Sequence, residues 1–173
     1  STFFFFLRDS EGGKIKFGPV WDYNLALGNV NYCTQGDPEG LVIEDFNKVC
    51  PDDGWVIPFW WSRFLEDSTF YYDLKLRWND LRNNQLSDIQ IFGKVDSLAT
   101  LVNLAKDRNF TKWPILGKYI WPNYFVGQTY EEEIVFLSDW LEARLAYLDE
   151  KWKIETVNTA YLPENIVRVT PNP

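Results

Sequence analysis

The sequence predicts an α+β domain that is mainly α-helical, with a short N-terminal β-hairpin ahead of a helical lobe. Three observations point to it. Two short apolar runs at the start, Thr2–Arg8 and Lys14–Val20, flank Asp9-Ser10-Glu11-Gly12-Gly13, a turn signal whose glycines are free to take positive φ. From Pro58 to Lys151, apolar residues recur at helical spacing in successive segments. Aromatic residues make up 18% of the chain, with nine Trp, and that much ring area favours a packed unit. At 173 residues the chain suits one domain with its own core.

The second strand alternates, with Ile15 and Phe17 on one face and Lys14 and Lys16 on the other. Pro19 cannot donate to a ladder, so it marks the strand's end or an edge. Asn31–Asp53 is loop-like, with Gly and Pro clustered at Gly36–Gly40. Its acidic side chains, Glu44 and Asp45 among them, are expected to face solvent. A helix is expected over Pro58–Asp67, with Phe59, Trp60, Arg63 and Phe64 at helical spacing. The next runs over Thr69–Asn83, capped by Asp67 or Ser68, with Phe70, Leu74, Trp78 and Leu81 on one face. A third covers Leu86–Arg108 with Ser87 as candidate cap. Phe110–Gly127 is aromatic and broken by Pro114, Gly117 and Pro122, so it is expected to be irregular or short-helical. Thr129 and Glu132 form a capping-box pattern for a last helix, Tyr130–Lys151, with a stripe from Ile134 through Leu137, Leu141, Leu145 and Leu148 to Trp152. Glu131, Glu132 and Glu133 suit the positive end of its dipole. Periodicity stops there, and Lys153–Pro173 reads as a linker or extended tail.

Charge and composition exclude several classes. A net charge of −8 argues against nucleic acid or an anionic membrane as main partner. No run is long and apolar enough to span a bilayer. With no His, a Ser-His-Asp triad, a Cys-His pair and a His-ligated zinc site are excluded within these residues. Cys33 and Cys50 flank the loop. In a secreted protein they would close it as a disulfide, and in a cytosolic one they would be free thiols. Asp37, Glu39, Asp52 and Asp53 lack the ligand spacing of an EF-hand and read as solvated loop carboxylates. Trp55, Trp60, Trp61, Trp113 and Trp121 could form a sugar-stacking platform, but core packing is the expected role of such large rings. The lack of any Met and the abrupt start on a strand suggest a piece of a longer protein.

The densest chemistry lies in Gly18–Tyr32, GPVWDYNLALGNVNY. Asp22 and Asn24 offer a carboxylate and an amide oxygen two residues apart, at the end of a strand. Hard cations such as Mg²⁺ take oxygen ligands of this kind. The other role for Asp22 is to accept backbone N–H bonds and close a turn. Asn29, beyond Gly28, could hydrogen-bond across such a site.

The stretch GKIKFGPVWDYNLALGNVNY resembles the metal-site segment of the CotH family, spore-coat-type and secreted bacterial proteins related to protein kinases. The resemblance continues in order through Gly54-Trp55, Trp60-Trp61, RWNDLR at Arg77–Arg82, NFTKWPILG at Asn109–Gly117 and WLEARLAYLD at Trp140–Asp149. It implies that residues 1–152 are the C-terminal portion of a CotH kinase-like domain, a helical lobe like the C-lobe of an atypical kinase. It implies that Asp22 binds Mg²⁺ (or Mn²⁺ or Ca²⁺) as the metal-binding Asp of kinases does, with Asn24 assisting; some family members carry Asp at the position of Asn24. The phosphate-covering loop, the phosphate-binding Lys and the catalytic base are expected in an upstream part of the same domain. ATP and a protein substrate are the implied partners, and residues 1–173 alone are expected to be inactive. The alternative is a non-catalytic cell-surface, adhesion or spore-coat structural module. The ending VTPNP resembles the start of a type IX secretion sorting domain, which implies a secreted or surface-attached bacterial protein, with a spore coat as the alternative location.

Overall fold

The computed structural model describes residues 25–52, 57 and 59–154, together with the backbone of residues 4–6 and 15–17. Strands β1 (Phe4–Phe6) and β2 (Ile15–Phe17) pair antiparallel, with Phe4 opposite Phe17 and Phe6 opposite Ile15. The turn expected between them, Trp21, Trp55 and the tail from residue 155 lie outside the described residues.

The described residues form six helices, so the domain is mainly helical. The first, α1 (Val42–Val49), corrects the expectation of a loop over Asn31–Asp53. Val42, Phe46 and Val49 share one face of it, and Phe46 is buried. Leu41 offers no capping side chain; the Asp45 carboxylate reaches back to accept the Leu41 N–H at 3.1 Å. Glu44 pairs with Lys151 at 2.5 Å, so these two acids are first-turn helix residues with partners, and Glu44 fastens α1 to the end of the last helix.

Helix α2 (Phe59–Glu66) passes directly into α3 (Ser68–Asn83) through Asp67, whose carboxylate accepts the Phe70 N–H at 2.8 Å. The single helix expected over Leu86–Arg108 is two, α4 (Asp88–Leu101) and α5 (Asn103–Lys112). The break falls at Val102, with φ −89° and ψ 0°: its N–H closes α4 on Leu98 while its carbonyl opens α5 for Ala105 and Lys106. Neither Gly nor Pro marks the break. Ser87 stands at the N-cap of α4 without a side-chain hydrogen bond. Helix α6 (Tyr130–Lys151) starts from Thr129, whose hydroxyl accepts the Glu132 N–H at 3.2 Å. The Glu132 carboxylate reaches back to Gln128 N–H at 2.6 Å, one residue beyond a standard capping box.

Buried apolar side chains among the described residues are Val30, Phe46, Leu145 and Leu148, so the core gathers where α6 meets α1 and the loop before it. Trp60 and Trp61 are half-buried and meet edge to face, as core packing predicted. Trp113 and Trp121 depart from that expectation: they are exposed, because they sit in the non-helical segment 113–129, which has no apolar stripe to turn inward.

One polar hub ties α3, α4 and α6. Arg82 Nε donates to both carboxylate oxygens of Asp149, at 2.9 and 3.0 Å, and Nη2 donates to Asp88 at 2.8 Å; Nη1 donates to the Leu86 carbonyl. Trp78 Nε1 donates to the same Asp149 at 2.9 Å, and its ring meets Trp152 edge to face at 5.2 Å. The hydrogen bonds that Arg82 donates to Asp149 raise its pKa above the ordinary value. Arg82→Met is expected to cost about 2–3 kcal/mol in urea unfolding, since charged hydrogen bonds are lost at a largely covered site. Arg82→Lys is expected to recover little of that, because an ammonium lacks the planar fork. Equal stability of all three proteins would refute the hub.

Candidate functional site

Directly after Asn24, the loop 25–40 wraps against α6. It takes left-handed backbone at Leu27 (φ 61°) and Gly28 (φ 82°), which turns the chain sharply. Gly28 is buried under the indole of Trp140. That indole donates from Nε1 to the Gly36 carbonyl at 2.8 Å. Four residues on, and therefore on the same face of α6, Arg144 donates from Nη1 to the carbonyls of Pro38 (2.7 Å) and Gly40 (2.6 Å). Two side chains of one helix thus grip three carbonyls of the loop, at Gly36, Pro38 and Gly40.

The other side of the loop is held as well. Asn31 N–H donates to the Pro122 carbonyl at 2.9 Å, and Asn31 Nδ2 donates to the Tyr119 hydroxyl at 2.6 Å. Cys33 and Cys50 are joined as a disulfide, with Cα atoms 5.1 Å apart, linking the loop to the end of α1. Cys33 and Thr34 both carry positive φ, 53° and 54°, a conformation that costs about 1–2 kcal/mol per residue and that the surrounding bonds maintain. Cross-linking residues 17 apart in sequence restricts the unfolded chain by about 3 kcal/mol in the chain-entropy account. Cys33→Ser with Cys50→Ser is expected to lower stability by that amount in urea unfolding. A wild type whose midpoint does not change on adding reductant would contradict it.

These restraints leave a cleft of about 210 Å³ between the loop, α1 and α6, lined among others by Leu27, Gly28, Thr34, Asp37, Asp45 and Arg144. Burial pulls the Arg144 pKa below its ordinary value, countered by the Tyr147 ring 5.4 Å away and by Asp37. The carbonyls of Pro38 and Gly40 solvate its charge, and it has no carboxylate within ion-pair distance among the described residues. The Leu41 N–H and then Lys48 hold the Asp45 carboxyl below the usual range.

Asp22 and Asn24 lie outside the described residues, so the structure describes the cleft that follows them in the chain and not the two side chains. Asn29 is half-buried between Gly28 and Val30, both of which line the cleft. Asp37 and Glu39 also line it; the Asp37 carboxylate accepts the Glu39 N–H at 2.9 Å and so shapes the turn. Asp52 is exposed and Asp53 is outside the described residues. No group of three or more Cys, Asp or Glu among the described residues could hold a metal ion. Trp140 and Arg144 were not singled out from sequence. Their one signal is the i, i+4 spacing of a large ring and a cation beside the apolar stripe of α6.

A family model described as CotH kinase protein matches residues 3–148. No curated protein and no solved structure matches the chain.

Proposed function

Because the chain belongs to the CotH kinase protein family, we propose that it forms the C-terminal lobe of a kinase-like phosphotransferase, one that moves a phosphoryl group from ATP to Ser or Thr of secreted or coat proteins. The observation that carries this reading is the family match itself, which includes Asp22 and Asn24 and ends inside α6. The donor chemistry fits a hard divalent cation: one carboxylate and one amide oxygen, with no soft ligand nearby in the chain. Asp22 and Asn24 would hold Mg²⁺, which would supply positive charge to offset that of a nucleotide's phosphates.

The chain's own part is orientation. Asp22 and Asn24 stand at the root of a loop that Trp140, Arg144 and the Cys33–Cys50 bond hold in one conformation. The phosphate-covering loop, the phosphate-binding Lys and the base belong, in this reading, to an upstream part of the same domain. The disulfide supports an oxidising compartment, hence a secreted or cell-surface protein. The test is Mg²⁺-dependent transfer from labelled ATP by the intact protein, wild type against Asp22→Ala, with nucleotide binding measured alongside.

A further inference from the structure

We propose that Trp121, backed by Tyr32 on one face and with Tyr119 nearby, binds a neutral carbohydrate chain on its exposed face. It stands on observations separate from the phosphotransfer reading. Trp121 is 70% exposed and lies near-parallel to Tyr32, with ring planes 15° apart and centroids 6.1 Å apart. Tyr119 is also exposed and joins the pair through Asn31, the residue before Tyr32, whose amide donates to the Tyr119 hydroxyl.

The rings are presented by an anchored backbone. The segment carrying Tyr119 and Trp121 is closed at its neck by the Gly117 N–H to Gly127 carbonyl bond, 2.8 Å. Within it, Asn123 N–H donates to Ile120 at 2.8 Å, and Asn31 N–H donates across to Pro122. Phe125 stacks on Phe136 of α6 at 4.6 Å with planes 5° apart, which seats the segment on the helix. These bonds hold the backbone that presents the Trp121 indole, which Tyr32 backs on one face.

Chemistry selects the ligand. The π-face of an indole or phenol is electronegative and attracts the C–H face of a pyranose, while sugar hydroxyls need polar partners at the ring edge. The Asn31 amide oxygen and the Tyr119 hydroxyl hydrogen are left for that role once their mutual bond is made. Charge points the same way. In a chain of net charge −8, Gly28–Gly36 and Tyr119–Gln128 contain no Asp, Glu, Lys or Arg. The exposed indole therefore matches an uncharged polar ligand better than an ionic one.

The experiment is native electrophoresis of the full chain through gels containing hydroxyethyl cellulose, xylan or a soluble β-glucan. Wild type is expected to be retarded by at least one of them. Trp121→Ala is expected to weaken binding roughly tenfold or more, and Tyr32→Ala measurably, with unfolding midpoints unchanged because both rings are surface groups. Phe59→Ala removes a ring that is 80% exposed on α2 and is expected to run as wild type. Free migration of wild type in every gel overturns the proposal. So does retardation that Trp121→Ala leaves intact, or that Phe59→Ala removes equally. None of these results depends on phosphate transfer.

Discussion

Asp22→Ala is expected to abolish Mg²⁺-dependent phosphate transfer by the intact protein, a fall of at least roughly a hundredfold, while the far-ultraviolet spectrum and unfolding midpoint stay near wild type. The size follows from what the side chain supplies. A carboxylate contributes a full negative charge to a divalent ion, and in the proposed reaction that ion would offset charge on the phosphates. Asn24→Ala is expected to cost less, about tenfold, since an amide oxygen ligates without charge. Equal transfer by wild type and Asp22→Ala would leave a phosphotransferase whose metal lies elsewhere. Absence of both transfer and nucleotide binding in wild type would remove the kinase reading and favour a non-catalytic surface module.

Gly28→Ala is expected to lower stability by about 3–5 kcal/mol and to reduce the melting temperature by roughly 10 °C, measured by thermal and urea unfolding. Two costs add. The residue holds φ +82°, where a Cβ is strained. The new methyl would also meet Trp140 at 2.3 Å from Cδ1 and 2.4 Å from Nε1, far inside contact distance. The indole cannot yield cheaply, because its Nε1 is bonded to the Gly36 carbonyl and moving it strips that bond. Trp140→Ala in the Gly28→Ala background is expected to relieve the clash but not the φ strain, so the two changes are less than additive. A Gly28→Ala protein within 1 kcal/mol of wild type would show that the loop does not pack on α6 as described.

Where local signals are strong, sequence and structure agree. Asp67 and Thr129 cap the helices they precede because a short oxygen-bearing side chain before an apolar run has few better partners than the free N–H groups of the first turn. The boundaries of α6 coincide with those read from its stripe and its acidic first turn. Helix α1 was missed because it spans only eight residues, lies among Gly and Pro, and takes its N-terminal support from Asp45 four residues inside instead of from a cap. The break at Val102 was missed because the apolar pattern runs through it, and the turn is made by backbone bonding that no residue type announces.

The family, the mainly helical character and the candidacy of Asp22 and Asn24 were determined by the sequence alone, because they depend on residue types at short spacings. The cleft beyond those residues was decided only by tertiary structure. Arg144 and Gly40 are 104 positions apart, as are Trp140 and Gly36, and no local pattern tells a cation on a helix which carbonyls it will meet. The exposure of Trp121 was likewise a tertiary outcome. A large ring is buried by default because water is displaced from its surface, and here the closed backbone of its loop presents it outward instead.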